Sequence, residues 1–416
     1  MKGIFGFIKP IANFPKKNMF ILYCMALGFI GILECSMSYY FPIELKRTFG
    51  SNLSVGLIIG LANIAALVCD FVIPEIFKKK SWKFLFVAGV FLQIGYPGFT
   101  QLNLFFNLPF FLIIAALFWN IYFEFLAFSR HSFIVSNEKK DDYSKDWGII
   151  SVIGGIAAVM GPIIGSQIAA DSRGNGTVIL IVLQLLAVAA VILLIIIAPK
   201  PIPTEKLQHH RHIKWSILKE FKLWELFGQK IFPIILLGSM LTIISSAVST
   251  VGGIMGEKIF GTQGLDWLLL FFFNAPIIFV SLLLSRMQVH IHKKRLSQIS
   301  MILSGIALFL LPFIKDIDIA VIICFFFASI FISISWIFNE AVYSDLSKRS
   351  GENKLYVTSM ERINESLGYM LGPIIIGFLA DKFNYFYAFG LIGFVSIIVA
   401  TFLIITTPRK ILMPHQ

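Results

Sequence analysis

The sequence predicts an all-α polytopic membrane protein with twelve transmembrane helices in two pseudo-symmetric six-helix halves. Three observations carry this. Of 416 residues, 57% are hydrophobic and 14% charged, and the mean hydropathy is +0.83; an ordinary soluble domain has about 25% charged residues. The apolar residues fall in runs of about twenty, the length one helix needs to cross a hydrocarbon core. Features of the first half recur in the second at an offset of about 210 to 217 residues. A disordered chain lacks the hydrophobicity, and a water-soluble enzyme could not bury so much apolar surface.

The twelve spans are expected at 19–41, 53–77, 83–104, 109–133, 147–170, 177–198, 231–255, 265–288, 296–314, 317–345, 355–380 and 385–407. Span one follows Lys16-Lys17 and closes on Lys46-Arg47. Its Ile32-Leu33-Glu34-Cys35 fits a lipoprotein cleavage box badly because of Glu34, so the span reads as uncleaved. Lys78-Lys79-Lys80 separates spans two and three, and span four runs out near Arg130. Span five holds Gly161-Pro162-Ile-Ile-Gly165 and ends at Asp171. Span six ends where Pro199, Pro201 and Pro203 begin a polar stretch containing His209, His210, Arg211 and His212. Residues 215–227 then place apolar side chains at helical spacing, as in an amphipathic helix on a membrane face. Span seven carries Ser239, Thr242, Ser245, Ser246, Ser249 and Thr250, either a polar wall or helix glue. Lys293-Lys294-Arg295 divides spans eight and nine, mirroring the first half. Span ten has Trp336 and Glu340 where span four has Trp119 and Glu124. Span eleven has Gly372-Pro373-Ile-Ile-Ile-Gly377 and ends at Asp381, and span twelve precedes the tail. The halves are 1–198 and 231–416, joined by a linker at 199–230.

The net charge of +12 could indicate nucleic acid, but the basic residues are concentrated in short loops. With the N-terminus inside, 29 of the 35 Lys and Arg fall on the inner side. The positive-inside rule then puts both termini and the linker in the cytoplasm of a multi-pass cell-membrane (plasma or inner membrane) protein. No nucleic-acid partner is implied. Cys24, Cys35, Cys69 and Cys324 lie in apolar runs without zinc or disulfide spacing. The histidine cluster lacks cysteine and sits in a basic loop, as a lipid-headgroup contact would. Phosphate-cradling, Gly-x-Ser-x-Gly and His-Glu-x-x-His motifs are absent, so the chain reads as no enzyme and no ATPase.

With two six-span halves in parallel and a long inner linker, the chain resembles the major facilitator superfamily over essentially its whole length. That family carries Gly-x-x-x-Asp-Arg-x-Gly-Arg-Arg after span two. Here Ala66 and Asp70 hold the first positions, the Arg-x-Gly core is missing, and the basic run starts at Lys78. The 12-span proton-coupled drug antiporters carry Gly-(x8)-Gly-(x3)-Gly-Pro-(x2)-Gly-Gly in span five; this chain has Gly148, Ala157, Gly161, Pro162, Gly165 and Ser166 at that spacing. The resemblance implies alternating access about a cavity lined by spans one, four, seven and ten. It gives Asp70 a latching role on span eleven, where Arg362 is a candidate partner. The Gly-Pro elements Gly161, Pro162, Gly165, Gly372, Pro373 and Gly377 take gating and structural roles, since proline removes a backbone bond.

An ionisable side chain costs about 2.5–3.5 kcal/mol at mid-bilayer, so each is a functional candidate. Glu34, Asp70, Glu124 and Glu340 stand inside spans, with no clear mid-span Lys or Arg against them. Glu34 and Glu124 are the candidate proton carriers, because burial favours the neutral form of a carboxyl. Asn120, one turn before Glu124, is a candidate hydrogen-bond partner; His131 shares that face. Glu340 has Trp336 one turn before it, Asn339 adjacent and Tyr343 nearby, a setting for an organic cation. The expectation is a secondary transporter, driven by the proton gradient with no cofactor. It would export a small amphipathic or cationic substrate, and one chain suffices as a monomer in the bilayer. Proton-coupled nutrient uptake (a sugar, osmolyte or organic acid) and a transport-inactive sensor or scaffold are the alternatives.

Overall fold

Twelve α-helices and one 3-10 turn form in the computed structural model, which describes residues 16–76, 81–137, 143–197, 217–261, 264–286, 292–349 and 354–407. They are α1 (Lys16–Phe49), α2 (Asn52–Ile76), α3 (Trp82–Phe106), α4 (Phe110–Asn137), α5 (Tyr143–Ala170), α6 (Asn175–Ile197), α7 (Ile217–Phe260), α8 (Leu268–Arg286), α9 (Lys293–Leu310), α10 (Asp318–Arg349), α11 (Lys354–Phe383) and α12 (Tyr385–Thr406). Eleven contain a stretch long and apolar enough to cross a membrane; the twelfth, in α8, is the shorter Leu268–Leu284. Large apolar side chains such as Phe91, Phe279 and Ile405 stand exposed along the helices, the surface hydrocarbon would cover.

Helices overrun the apolar runs that announced them. α1 continues through Lys46 and Arg47 to Phe49, because apolarity marks depth in hydrocarbon whereas helical hydrogen bonding serves the backbone at any depth. Residues 217–227, expected on a separate surface helix, open the 44-residue α7 and run directly into span seven. The linker at 199–216, the histidine cluster, Lys78–Lys80 and the side chains of 217–230 and His131 lie outside the described residues.

Polar caps set the short turns. Ser81 accepts from the Phe84 N–H at the start of α3. The Asp171 carboxylate accepts from Gly174 N at 3.1 Å and Asn175 N at 2.8 Å, turning the chain from α5 into α6. Asn384, at φ 71°, caps α12 by accepting from Phe386 and Tyr387.

The helices group into two compact units, residues 1–40 with 68–210 and residues 41–67 with 211–416. The first unit is knit at one end by Tyr23, Trp82, Phe86 and Phe133, with Tyr23 stacked on Phe133 at 3.8 Å. Gln93 of α3 donates to the Ile30 carbonyl of α1 at 2.7 Å, and Ser129 of α4 to the Trp82 carbonyl at 2.9 Å.

In the second unit, α9 meets α12 where Gly305 and Gly393 face each other's carbonyls. Ser297 and Ser335 exchange hydroxyl-to-carbonyl bonds between α9 and α10. Asp381, at the end of α11, caps the start of α2. Its carboxylate accepts from Asn52 N at 2.9 Å, Leu53 N at 2.8 Å and Asn52 Nδ2 at 2.7 Å, with Lys46 at 3.7 Å. Tyr385 donates to Asn52 Oδ1 at 3.0 Å, and Arg47 pairs with Glu257 at 2.6 Å. Removing this cap by Asp381→Ala leaves the first N–H groups of α2 without their acceptor, a loss of about 1 kcal/mol. The expected result is a lower thermal unfolding midpoint for the purified protein, with a smaller drop for Asp381→Asn.

Candidate functional site

The span-five motif builds the first unit's site from below. A Cβ on Gly161 would overlap Cys35 and stand 2.6 Å from its carbonyl carbon; one on Gly165 would stand 2.6 Å from the Ser36 carbonyl oxygen. Gly31 approaches Ala157 in the same way, at 3.0 Å. The small residues therefore let α5 lie backbone to backbone on α1 beside Glu34. The surroundings of Gly148 lie outside the described residues.

Glu34 meets aromatic residues of the other helices. The Tyr122 hydroxyl of α4 stands beside its carboxyl, and Tyr96 of α3 is within electrostatic reach. Both tyrosines are fully buried. Tyr96 stacks flat on Trp119, with centroids 5.4 Å apart and planes 2° apart, and donates to the Met37 carbonyl at 3.3 Å. Arg130 also acts on Glu34, and its guanidinium lies 6.0 Å from the Phe123 ring. The sequence showed no clear mid-span Lys or Arg; Arg130, at the end of its apolar stretch, comes within electrostatic reach of the acid. A carboxyl with a phenol hydroxyl beside it, in reach of a second tyrosine, is equipped to hold a proton or an organic cation.

The structure sets Glu124 apart from Glu34. Tyr122 and Glu124 are two residues apart on α4, so they project from nearly opposite sides of the helix. Glu124 is 4% exposed and lies within electrostatic reach of Cys69 of α2, as does Asp70. Asn120, expected as the partner of Glu124, donates its amide to the Ala116 carbonyl of its own helix at 2.9 Å.

In the second unit, Gly238 of α7 makes room for two amides. Asn364 and Asn339 approach the place of its missing Cβ to 2.7 and 3.1 Å. Ser239 donates to Asn364 Oδ1, and Ser246 to the Gly368 carbonyl at 3.3 Å. Gly368 and Gly372 fit against Thr242 and Ser246, so this part of the hydroxyl row joins α7 to α11. Gly377 and Pro373 pack on Asn52 and Gly56 of α2. Glu340 faces Glu361 of α11, while Trp336 is half-buried. Arg362 makes an ion pair with Glu365 at 3.2 Å.

Tyr96, Tyr122 and Glu361 escaped the sequence reading. Tyr122 follows Trp119 by three residues, a helical neighbour spacing that could have found it. Glu361 sat in a charged run that read as a helix end.

Eleven helices long and apolar enough to cross a membrane and a shorter apolar twelfth, with carboxyls set within them, define a polytopic membrane transporter. The chain belongs to the Major Facilitator Superfamily, whose sequence model matches residues 130–349 and 260–414. The sequence matches no curated protein. Among solved structures it is similar to a point-mutant form of the nucleoside transporter NupG (15% identity, TM-score 0.72, covering 93% of this chain and 99% of that one). It also resembles a bacterial homologue of the human lysosomal transporter Spinster (12% identity, TM-score 0.68, 95% and 97% covered). A POT family transporter in complex with a thioalcohol-conjugated peptide is comparable (13% identity, TM-score 0.68, 93% and 96% covered). These likenesses establish the fold.

Proposed function

We propose that this protein is a proton-coupled antiporter that exports an amphipathic or cationic small molecule by alternating access. The observation that carries the reading is Glu34, a mid-helix carboxyl with the Tyr122 hydroxyl beside it and Tyr96, which stacks on Trp119, within electrostatic reach. Protonated, Glu34 is a neutral group among aromatic rings; ionised, it attracts a cation that the rings also favour. Proton and cation then compete for one carboxyl. Because each ligand favours a different facing state by its differential affinity, that competition becomes exchange. Glu124 is a second protonatable group, in the neighbourhood of the proposed Asp70 latch. Glu340, Trp336 and Asn339 supply the cargo's contacts in the other half. The chain works as a monomer in the cell membrane with both termini cytoplasmic, using the proton gradient and no cofactor.

Cargo affinity should rise with pH, since only the ionised form of Glu34 attracts the cation. Binding isotherms of a lipophilic cation across neutral pH check this; affinity independent of pH contradicts it.

A second reading draws on Arg130. A cation acting on Glu34, beside a flat Tyr96–Trp119 stack, also suits a planar or zwitterionic nutrient taken up with protons. Proteoliposomes with an imposed pH gradient and an internal pH dye separate the two. Proton movement evoked by organic cations supports export. Movement evoked only by nucleosides, sugars, peptides or organic acids turns the assignment to uptake.

A further inference from the structure

We propose that the tip of the α1–α2 hairpin is held to α7, α11 and α12 by a polar clasp centred on Asp381, and that this clasp fixes one facing state and parts when that end of the protein opens. The proposal rests on the alternating-access reading above. On the orientation given there, the clasp faces outward.

The grouping of the helices is the first observation. Residues 41–67 group with α7–α12, whereas the rest of α1 and α2 groups with α3–α6. The sequence repeat assigns α1 and α2 to the first half, so their shared tip packs with helices of the other half. Gly50, at φ 77°, and Ser51 join α1 to α2, and Asn384 joins α11 to α12. Two tight hairpins therefore meet at this end.

The seam between α2 and α11 is backbone to backbone. A Cβ on Gly56 would overlap the Pro373 carbonyl, one on Gly377 would overlap the Asn52 carbonyl, and one on Gly60 would stand 2.5 Å from the Met370 carbonyl oxygen. Small residues let backbones approach closely, but they leave few side chains interlocked across the seam.

At the head of that seam, polar groups link all five helices. The Asp381 carboxylate of α11 accepts from Asn52 N, Leu53 N and Asn52 Nδ2 of α2 at 2.9, 2.8 and 2.7 Å. Tyr385 of α12 donates to Asn52 Oδ1 at 3.0 Å, and Lys258 of α7 stands 5.5 Å from the centre of the Tyr385 ring. Lys46 of α1 lies 3.7 Å from Asp381, and the adjacent Arg47 pairs with Glu257 of α7 at 2.6 Å.

These contacts have the strength of something that opens. The N–H groups at the start of α2 need an acceptor in either state; Asp381 supplies it in the closed state and water in the open one. Hydrogen bonds to a carboxylate are charge-assisted, yet the Asp381 side chain is 31% exposed, so water is at hand to replace them. The Arg47–Glu257 side chains are 40% and 39% exposed, and such a pair contributes little by itself.

Distances between two spin labels on the purified full-length protein in lipid test this without cargo or gradient. The labels are carried by Thr48→Cys at the end of α1 and Lys315→Cys in the turn between α9 and α10, with Cys24, Cys35, Cys69 and Cys324 replaced. The labelled protein should show a main short distance and a minor longer one. Asp381→Ala should raise the ratio of long to short about fivefold, the effect of losing one cap, and Asp381→Asn should raise it less. Arg47→Glu should raise it about twofold, and adding Glu257→Arg should bring it back. Gel-filtration profiles matching the starting protein confirm folded variants. A cap with a structural role alone would lower the unfolding midpoint of Asp381→Ala and leave the ratio unchanged; that result overturns the clasp, while the two distances keep alternating access standing. One distance in every variant overturns both. Absence of cation-evoked proton movement in proteoliposomes bears on the antiport reading and leaves the clasp standing.

Discussion

Glu34→Gln is expected to lose transport driven by a pH gradient, by roughly tenfold to a hundredfold, the range of coupling between two ligands of one protein. Glutamine keeps the shape and hydrogen-bonding capacity of the protonated acid, but it cannot give up a proton or attract a cation. Tyr96 remains packed, since it does not depend on Glu34 for its place: it is anchored on the Met37 carbonyl and on Trp119. The variant should therefore fold and still occupy the neutral facing state. Gradient-independent exchange of cargo should fall far less than gradient-driven flux. Measuring both fluxes in the same vesicles separates lost coupling from lost protein. Glu124→Gln, in different surroundings, should show a smaller loss.

The second large effect is structural. Gly161→Val forces a branched side chain against Cys35, where even a Cβ has no room and the obstacle includes backbone. Overpacking of this kind costs about 1–3 kcal/mol or more when backbone has to move. The expected result is a lower unfolding midpoint and a displaced α1, with loss of transport even though no charged group was touched. Gly154, on the same helix, has nothing within 4 Å of a Cβ. Gly154→Ala should be neutral or stabilise by up to about 1 kcal/mol, the helix-propensity difference. Thermal unfolding of the two variants side by side makes the contrast. Equal destabilisation would mean that the α1–α5 crossing is not what the motif serves.

Much of the fold was legible because hydrocarbon imposes it. A run of about twenty apolar residues has few other uses, so all twelve helices were visible, although their ends were not. α1 passes Lys46 and α7 begins at Ile217, because backbone hydrogen bonding continues where apolarity stops. The repeat was legible through Gly161-Pro162 and Gly372-Pro373. The glycine of each pair packs on the first helix of its own half, Gly161 against Cys35 in α1 and Gly372 against Ser246 in α7. Glu34 and Glu124 were legible as rare charges, but their grouping was not. Only the turn of α4 shows that Tyr122 and Glu124 project apart. The aromatic surroundings of Glu34 were hidden in a chain whose residues are 15% aromatic, where one more tyrosine carries no signal. Glu361 was hidden by its neighbours Arg362 and Glu365.

The central claim is that proton and cargo compete for Glu34, and proton release on binding tests it most directly. Purified protein in weakly buffered detergent solution, with a pH dye, is mixed with a lipophilic organic cation at saturating concentration. The account predicts acidification on binding to the wild-type protein, and none in Glu34→Gln. Binding without proton release, or the same release from Glu34→Gln, would contradict it.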